Sequence, residues 1–175
     1  MLANIALTDQ LLEEMRTPLG PDYDRYRNHV YRVINFTDHF FPLQGEALEQ
    51  VAIAAAFHDA GIWLDHTFDY LAPSCVRAQE YARSKGHGDW ESVIGAMILN
   101  HHRLRPIRGN QLVEAFRRAD WLDVSQGLIN FGAPSDLMAA LKRQYPVLGF
   151  HARLAQLTLL QARKNPLNPL PMIRW

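Results

Sequence analysis

Val51-Ala52-Ile53-Ala54-Ala55-Ala56-Phe57-His58-Asp59-Ala60-Gly61 is the stretch whose reading decides the fold. From Val51 to Phe57 every residue is apolar, so a helix here has no polar face and has to be enclosed by other helices. Alanine favours helix and lets neighbours approach closely. The run then ends on a histidine beside an aspartate. A polar group buried without a partner costs about 1–3 kcal/mol and a bare charge far more, so something must pair with them.

Outward from this segment, apolar residues recur at intervals of three and four almost everywhere, and strand-like alternation is not convincing anywhere. The expected fold is all-α, a single domain of about seven to eight helices. A first helix runs from Thr8, the expected N-cap, to Arg16, where Thr17-Pro18-Leu19-Gly20-Pro21 is expected to stop it. A second spans Asp22 to Phe41, with Tyr23, Tyr26, Val30, Val33 and Phe40 in one stripe and His29 beside it. The enclosed helix follows from Gly45-Glu46, with Gly61 expected to end it before an irregular aromatic stretch, Ile62 to Leu71. Further helices are expected from Pro73 to Lys85, Asp89 to His102, Asn110 to Gln126, Ser135 to Gln144 and Leu148 to Lys164. The motif-bearing core covers about residues 22–126, and a proline-rich tail from Asn165 to Pro171 ends near Trp175, a residue expected to drape over the bundle or serve self-association.

Eighteen lysines and arginines balance 18 aspartates and glutamates across 175 residues, with no basic stripe. That argues against nucleic acid polymers and anionic membranes as partners. The single cysteine, Cys75, excludes an intrachain disulfide and suits a reducing, cytoplasmic setting. Cys75 reads as a small residue packed on a helix face rather than a nucleophile. The longest apolar run is far short of the roughly 20 residues that span a bilayer.

Alone, His58-Asp59 reads more readily as a buried ion pair or a helix C-cap than as a metal site. Two further residues change the balance: His29 on the preceding helix, and Asp120 in Arg118-Ala119-Asp120-Trp121-Leu122-Asp123. Imidazole and carboxylate groups from three helices can meet inside a bundle on one divalent ion. The order, a histidine, then His-Asp, then a later aspartate, resembles the HD superfamily of metal-dependent phosphohydrolases. The local contexts Asn28-His29-Val30-Tyr31-Arg32-Val33, Ala56-Phe57-His58-Asp59-Ala60-Gly61 and Ala119-Asp120-Trp121-Leu122-Asp123 carry that resemblance.

The resemblance implies that His29, His58, Asp59 and Asp120 hold a divalent transition metal ion, Mn, Fe, Co, Ni or Zn. It also gives His101-His102 the place of an extra histidine, a further ligand or a proton donor to substrate. Two-metal relatives commonly carry another histidine where this chain has Ala72-Pro73-Ser74-Cys75-Val76-Arg77; neither His66 nor His87 matches it. One ion is therefore expected, with a second left open. Asp123 is expected to orient a ligand, touch substrate or lie on the surface, and Arg32, Arg103 and Arg105 are expected to meet substrate charge. The implied activity is hydrolysis of a phosphoester in a small, nucleotide-like molecule by activated water, with His58, Asp59, Asp120, His101 and His102 as catalytic residues. The scaffold's relatives leave two alternatives: a di-iron oxygenase or small-molecule hydratase, and a non-catalytic nucleotide-binding domain. Self-association is left open.

Overall fold

The enclosed helix is the axis of the molecule in the computed structural model, which describes residues 1–173. The segment Gly45–Phe57, α4 in the order given below, is buried over every residue from Val51 to Phe57. Helices α1 (Ala6–Glu14), α3 (Tyr23–Phe40), α6 (Leu71–Ser84) and α7 (Glu91–Asn100) pack around it. The short segments α2 (Arg16–Leu19) and α5 (Gly61–Leu64) pack against each other, and α8 (Gln111–Val124), α9 (Ser135–Gln144) and α10 (Phe150–Lys164) complete the chain. The fold is all-α, a helical bundle, and no strand occurs among the described residues. Trp175 lies outside the described residues. No helix of the described residues is long and apolar enough to cross a membrane.

Helix α3 packs most extensively on α8. From His29 to Thr37 every residue of α3 is buried, well beyond a single stripe, because α4, α8, α9 and α10 close on it from different sides. Three local expectations are corrected. Thr8 lies inside α1, whose N-cap is Ile5, and its hydroxyl is buried. The Thr17–Pro21 stretch continues as helix α2 and a 3-10 turn, Gly20–Asp22, since Pro18 falls within a first turn where its missing N–H costs nothing. Gly61 opens α5 instead of ending α4. Its glycine is required by space: a Cβ would stand 3.0 Å from the Ser74 Oγ and 3.0 Å from the Tyr70 carbonyl oxygen. The Gly61 N–H donates to that Ser74 Oγ at 3.0 Å, so α5 is drawn directly onto α6.

Asp22 braces the far side. Its buried carboxylate accepts from the Trp63 indole N–H at 2.9 Å and from Arg153 Nε at 3.0 Å, tying α5 and α10 to the start of α3.

Candidate metal centre

At the C-terminal end of α4 the hydrogen-bond pattern tightens. The His58 N–H still bonds four residues back to Ala54, whereas Ala60 bonds to Phe57 and Ile62 to Asp59, three residues back. This tighter winding lets two adjacent side chains turn toward one point. The Tyr26 hydroxyl donates to the Ala56 carbonyl at 3.0 Å and helps hold this helix end in place. The same change of winding occurs after α7, where the Arg103 N–H bonds to Asn100 and His101-His102 occupy the turn. From α8, Asp120 and Asp123 sit one turn apart on the face toward α3.

Six side chains converge. His29, His58 and Asp120 present donor atoms close enough to share one cation; so do His58, Asp59 and His101, and so do His101, His102 and Asp120. The three trios share corners: His58, His101 and Asp120 each belong to two of them. The structure thus brings together all four sequence-expected ligands and both histidines of the later pair.

The hydrogen bonds at the rim assign the imidazole tautomers. His58 Nδ1 donates to the Ala55 carbonyl at 2.8 Å, and His101 Nδ1 donates to the Ile98 carbonyl at 2.7 Å. His29 Nδ1 donates to Asp123 at 2.7 Å. Each of these rings therefore turns an Nε2 lone pair inward, and His29 Nε2 and His58 Nε2 face each other at 3.0 Å with no proton required on either. Asp59 Oδ1, both oxygens of Asp120 and His101 Nε2 are buried and have no hydrogen-bond partner. Converging lone pairs without a donor between them are the environment that a cation satisfies. The residues fit a metal.

Burial and mutual charge shift the titration of these groups in opposite directions. Burial alone would lower the pKa of His58, but Asp59 and Asp120 overcome it and raise it to about 9. Burial lifts Asp120 to about 7, against the pull of His101 and His58. Burial lowers His29 to about 4 despite its bond to Asp123. Asp59 is buried too, yet His58 and His101 hold its carboxyl well below the usual range. His58 and Asp120 thus hold protons more tightly than the free groups do, and His29 and Asp59 less tightly.

Behind His29 stands a second layer of the site. Arg32 places its fork on Asp123, Nε to Oδ1 at 2.6 Å and Nη2 to Oδ2 at 2.9 Å, and gives its remaining nitrogen to the Tyr145 carbonyl at 2.9 Å. Arg32 is 0% exposed. Its expected contact with substrate is corrected: the guanidinium is fully used in holding the carboxylate that orients His29. Asp123 is likewise buried and committed, neither a surface residue nor a substrate contact. Burial opposes ionisation of Asp123, yet the bonds from His29 and Arg32 keep its pKa below the usual range.

Arg103 and Arg105 are not brought to the cluster. They line a separate cavity with Pro106 and Arg108. Their loop is clamped from below: the Ile107 N–H donates to Glu114 at 2.8 Å, Arg117 pairs with Glu114 at 2.8 Å and also donates to the Arg103 carbonyl at 3.1 Å. His66 is exposed and His87 stacks on Trp90, both away from the centre. Cys75 is a free thiol, buried on α6 with its pKa raised by that burial.

Three neighbours of the site carried no signal in the sequence. The Tyr70 hydroxyl pairs with His102 Nε2 at 2.8 Å, Phe150 stacks on His29 with centroids 4.3 Å apart, and His151 Nε2 donates to the Asp123 carbonyl at 2.9 Å. Tyr70 comes from the aromatic stretch and the other two from the start of α10, neither of which matches any motif. Comparison of the chain with protein-family models, with curated proteins and with solved structures finds no match.

Proposed function

We propose that the protein is a metal-dependent hydrolase of the HD phosphohydrolase type, acting on a phosphoester of a small phosphorylated molecule. The observation that carries the reading is the convergence of the His29 and His58 Nε2 atoms with the unpartnered, buried donor atoms of Asp59, His101 and Asp120. On this reading His29, His58, Asp59 and Asp120 hold one divalent ion of the Mn, Fe, Co, Ni or Zn group. The overlap of the trios through His101 and Asp120 favours room for a second ion, with His101 and His102 supplying what Ala72–Arg77 lacks.

Bound there, a divalent cation supplies the Lewis acidity that makes water a nucleophile near neutral pH and screens charge on the phosphoryl oxygens. The chain's own groups do the rest. Asp120, with both oxygens free of hydrogen bonds, accepts the proton of the attacking water. Burial pushes the His102 pKa well below its usual value, so this ring stays neutral and serves, with the Tyr70 hydroxyl paired to it at 2.8 Å, as a hydrogen-bonding partner for the leaving oxygen. Asp123 and Arg32 keep the His29 ring in one orientation.

Elemental analysis beside phosphatase activity, for the wild type and Asp59→Ala, tests this. The variant is expected to lose bound metal and at least about a hundredfold in activity. A variant that keeps both overturns the site. A metal-loaded wild type that binds a nucleotide yet hydrolyses no phosphoester overturns the reaction and favours a receptor role.

A further inference from the structure

Substrate has to reach the cluster from somewhere, and the burial pattern leaves one face for it. His29, His58 and His101 side chains are fully buried and the Asp59 and Asp120 side chains are no more than 2% exposed, whereas His102 retains 11%. His102 lines a chamber of about 150 Å³. The walls of that chamber are the side chains of Ile62, Phe68, Trp121 and Leu154, with Met172 across from them and Tyr70 next to His102. No lysine, arginine, aspartate or glutamate contributes, and Thr158 brings the one aliphatic hydroxyl. The three arginines of the following loop line a different cavity.

We propose that this chamber receives the organic group of the substrate, an apolar group the size of a single ring, next to the phosphoryl group at the cluster. The proposal rests on the hydrolase reading above and narrows its substrate to phosphoesters of small aromatic alcohols. Size and polarity carry it. A largely apolar space of roughly 150 Å³ accommodates a benzene-sized molecule. A ribose or a nucleobase edge placed there would give up hydrogen bonds to water and recover almost none, since the walls offer few donors or acceptors. A phenyl or benzyl group gives up nothing of that kind and gains burial. On this proposal the organic group of the substrate is more apolar than the nucleotide-like molecule expected from sequence.

The reaction balances without a co-reactant. The oxygen of water bonds to phosphorus as the ester P–O bond breaks, the alcohol leaves with one proton, and inorganic phosphate retains the other. Tyr70 and His102 stand where the chamber meets the cluster, so the leaving oxygen departs into the apolar side. The tail residues Leu170, Met172 and Ile173 form the outer wall, and Met172 is 5% exposed, which gives the C-terminal segment the role of closing the chamber.

The test uses the full, metal-loaded chain, with phenol as a product-sized probe followed by isothermal titration calorimetry, and with phenyl phosphate against nucleoside monophosphates as substrates. Phenol is expected to bind saturably, and phenyl phosphate to be preferred at least about tenfold in kcat/KM. Leu154→Trp fills the chamber and is expected to abolish the phenol signal and raise KM for phenyl phosphate about tenfold or more, at unchanged metal content. Met172→Ala, which enlarges the chamber, is expected to shift preference toward naphthyl phosphate and covers the case in which the tryptophan variant does not fold. No phenol binding, or a preference for nucleotides, overturns the chamber assignment while leaving the hydrolase reading standing. Saturable phenol binding with no hydrolysis of any phosphoester overturns the hydrolase reading, and with it the claim that the chamber serves this reaction.

Discussion

Asp123 accepts from His29 on one side and from the fork of Arg32 on the other, and the three groups are buried together. The arrangement follows from spacing. His29 and Arg32 are one turn apart on α3, Asp120 and Asp123 one turn apart on α8, so pairing the two helices closes both contacts at once. Asp123→Asn keeps the shape but removes the charge that orients His29 and satisfies Arg32. Metal affinity is expected to fall 10–100-fold, measured by competition with a chromogenic chelator. The same variant leaves a buried guanidinium without its counter-charge and is expected to lose about 3–5 kcal/mol in urea unfolding. Unchanged affinity would show that His29 needs no such support. In the sequence, His29, His58, Asp59 and Asp120 were legible because their order and local contexts form a pattern. Arg32 was misread because sequence places an arginine one turn from a ligand without saying whether it faces substrate or a carboxylate behind the site.

At the level of elements, the long helices were legible because their apolar periodicity and their Gly and Pro punctuation agree; Ser135–Gln144 was placed to the residue. The four-residue segments α2 and α5 were not, since neither is long enough to show a period and each carries a residue, Pro18 or Gly61, that signals interruption. The loop from Arg103 to Gly109, whose Arg103 and Arg105 are expected from sequence to meet substrate charge, has its backbone anchored to α8 through Glu114. Burial alone would raise the pKa of Glu114; bonds from Arg117, the Ile107 N–H and Arg118 overcome that and hold it at about 2. A depressed folded-state pKa contributes stability that is complete above the unfolded value of 4.5 and is lost as pH falls through about 2. Against Glu114→Gln, the wild type is therefore expected to be more stable at about pH 7, with the difference shrinking as pH drops from about 5 toward about 2. Chemical denaturation of both proteins across that range measures it, and titrations elsewhere cancel in the comparison. A difference independent of pH would mean that the clamp works through shape alone.

For the molecule as a whole, the metal centre and the stability of the bundle are one question. The converging groups come from α3, the turn after α4, the turn after α7, and α8, which approach one another only in the folded chain. A cation on them binds the native state and not the unfolded one, and a hundredfold excess over Kd contributes about 2.7 kcal/mol. For a chain of this size each kcal/mol moves Tm by roughly 2–4 °C, so loading with Mn or Zn after chelation is expected to raise Tm by about 5–10 °C. Asp120→Asn separates this from nonspecific ion effects. It removes a corner shared by two of the trios, so the metal-dependent rise is expected to vanish. It also removes a buried carboxylate whose two oxygens have no partner, so the metal-free variant is expected to melt no lower than the metal-free wild type. A variant that melts well below the chelated wild type would show Asp120 to be a structural residue. A variant that still gains the full Tm rise would place the cation elsewhere. Loss of the rise together with an undiminished baseline is the combination that a site built for a cation produces, because such a site holds its carboxylates at a cost to the empty protein that only the ion offsets.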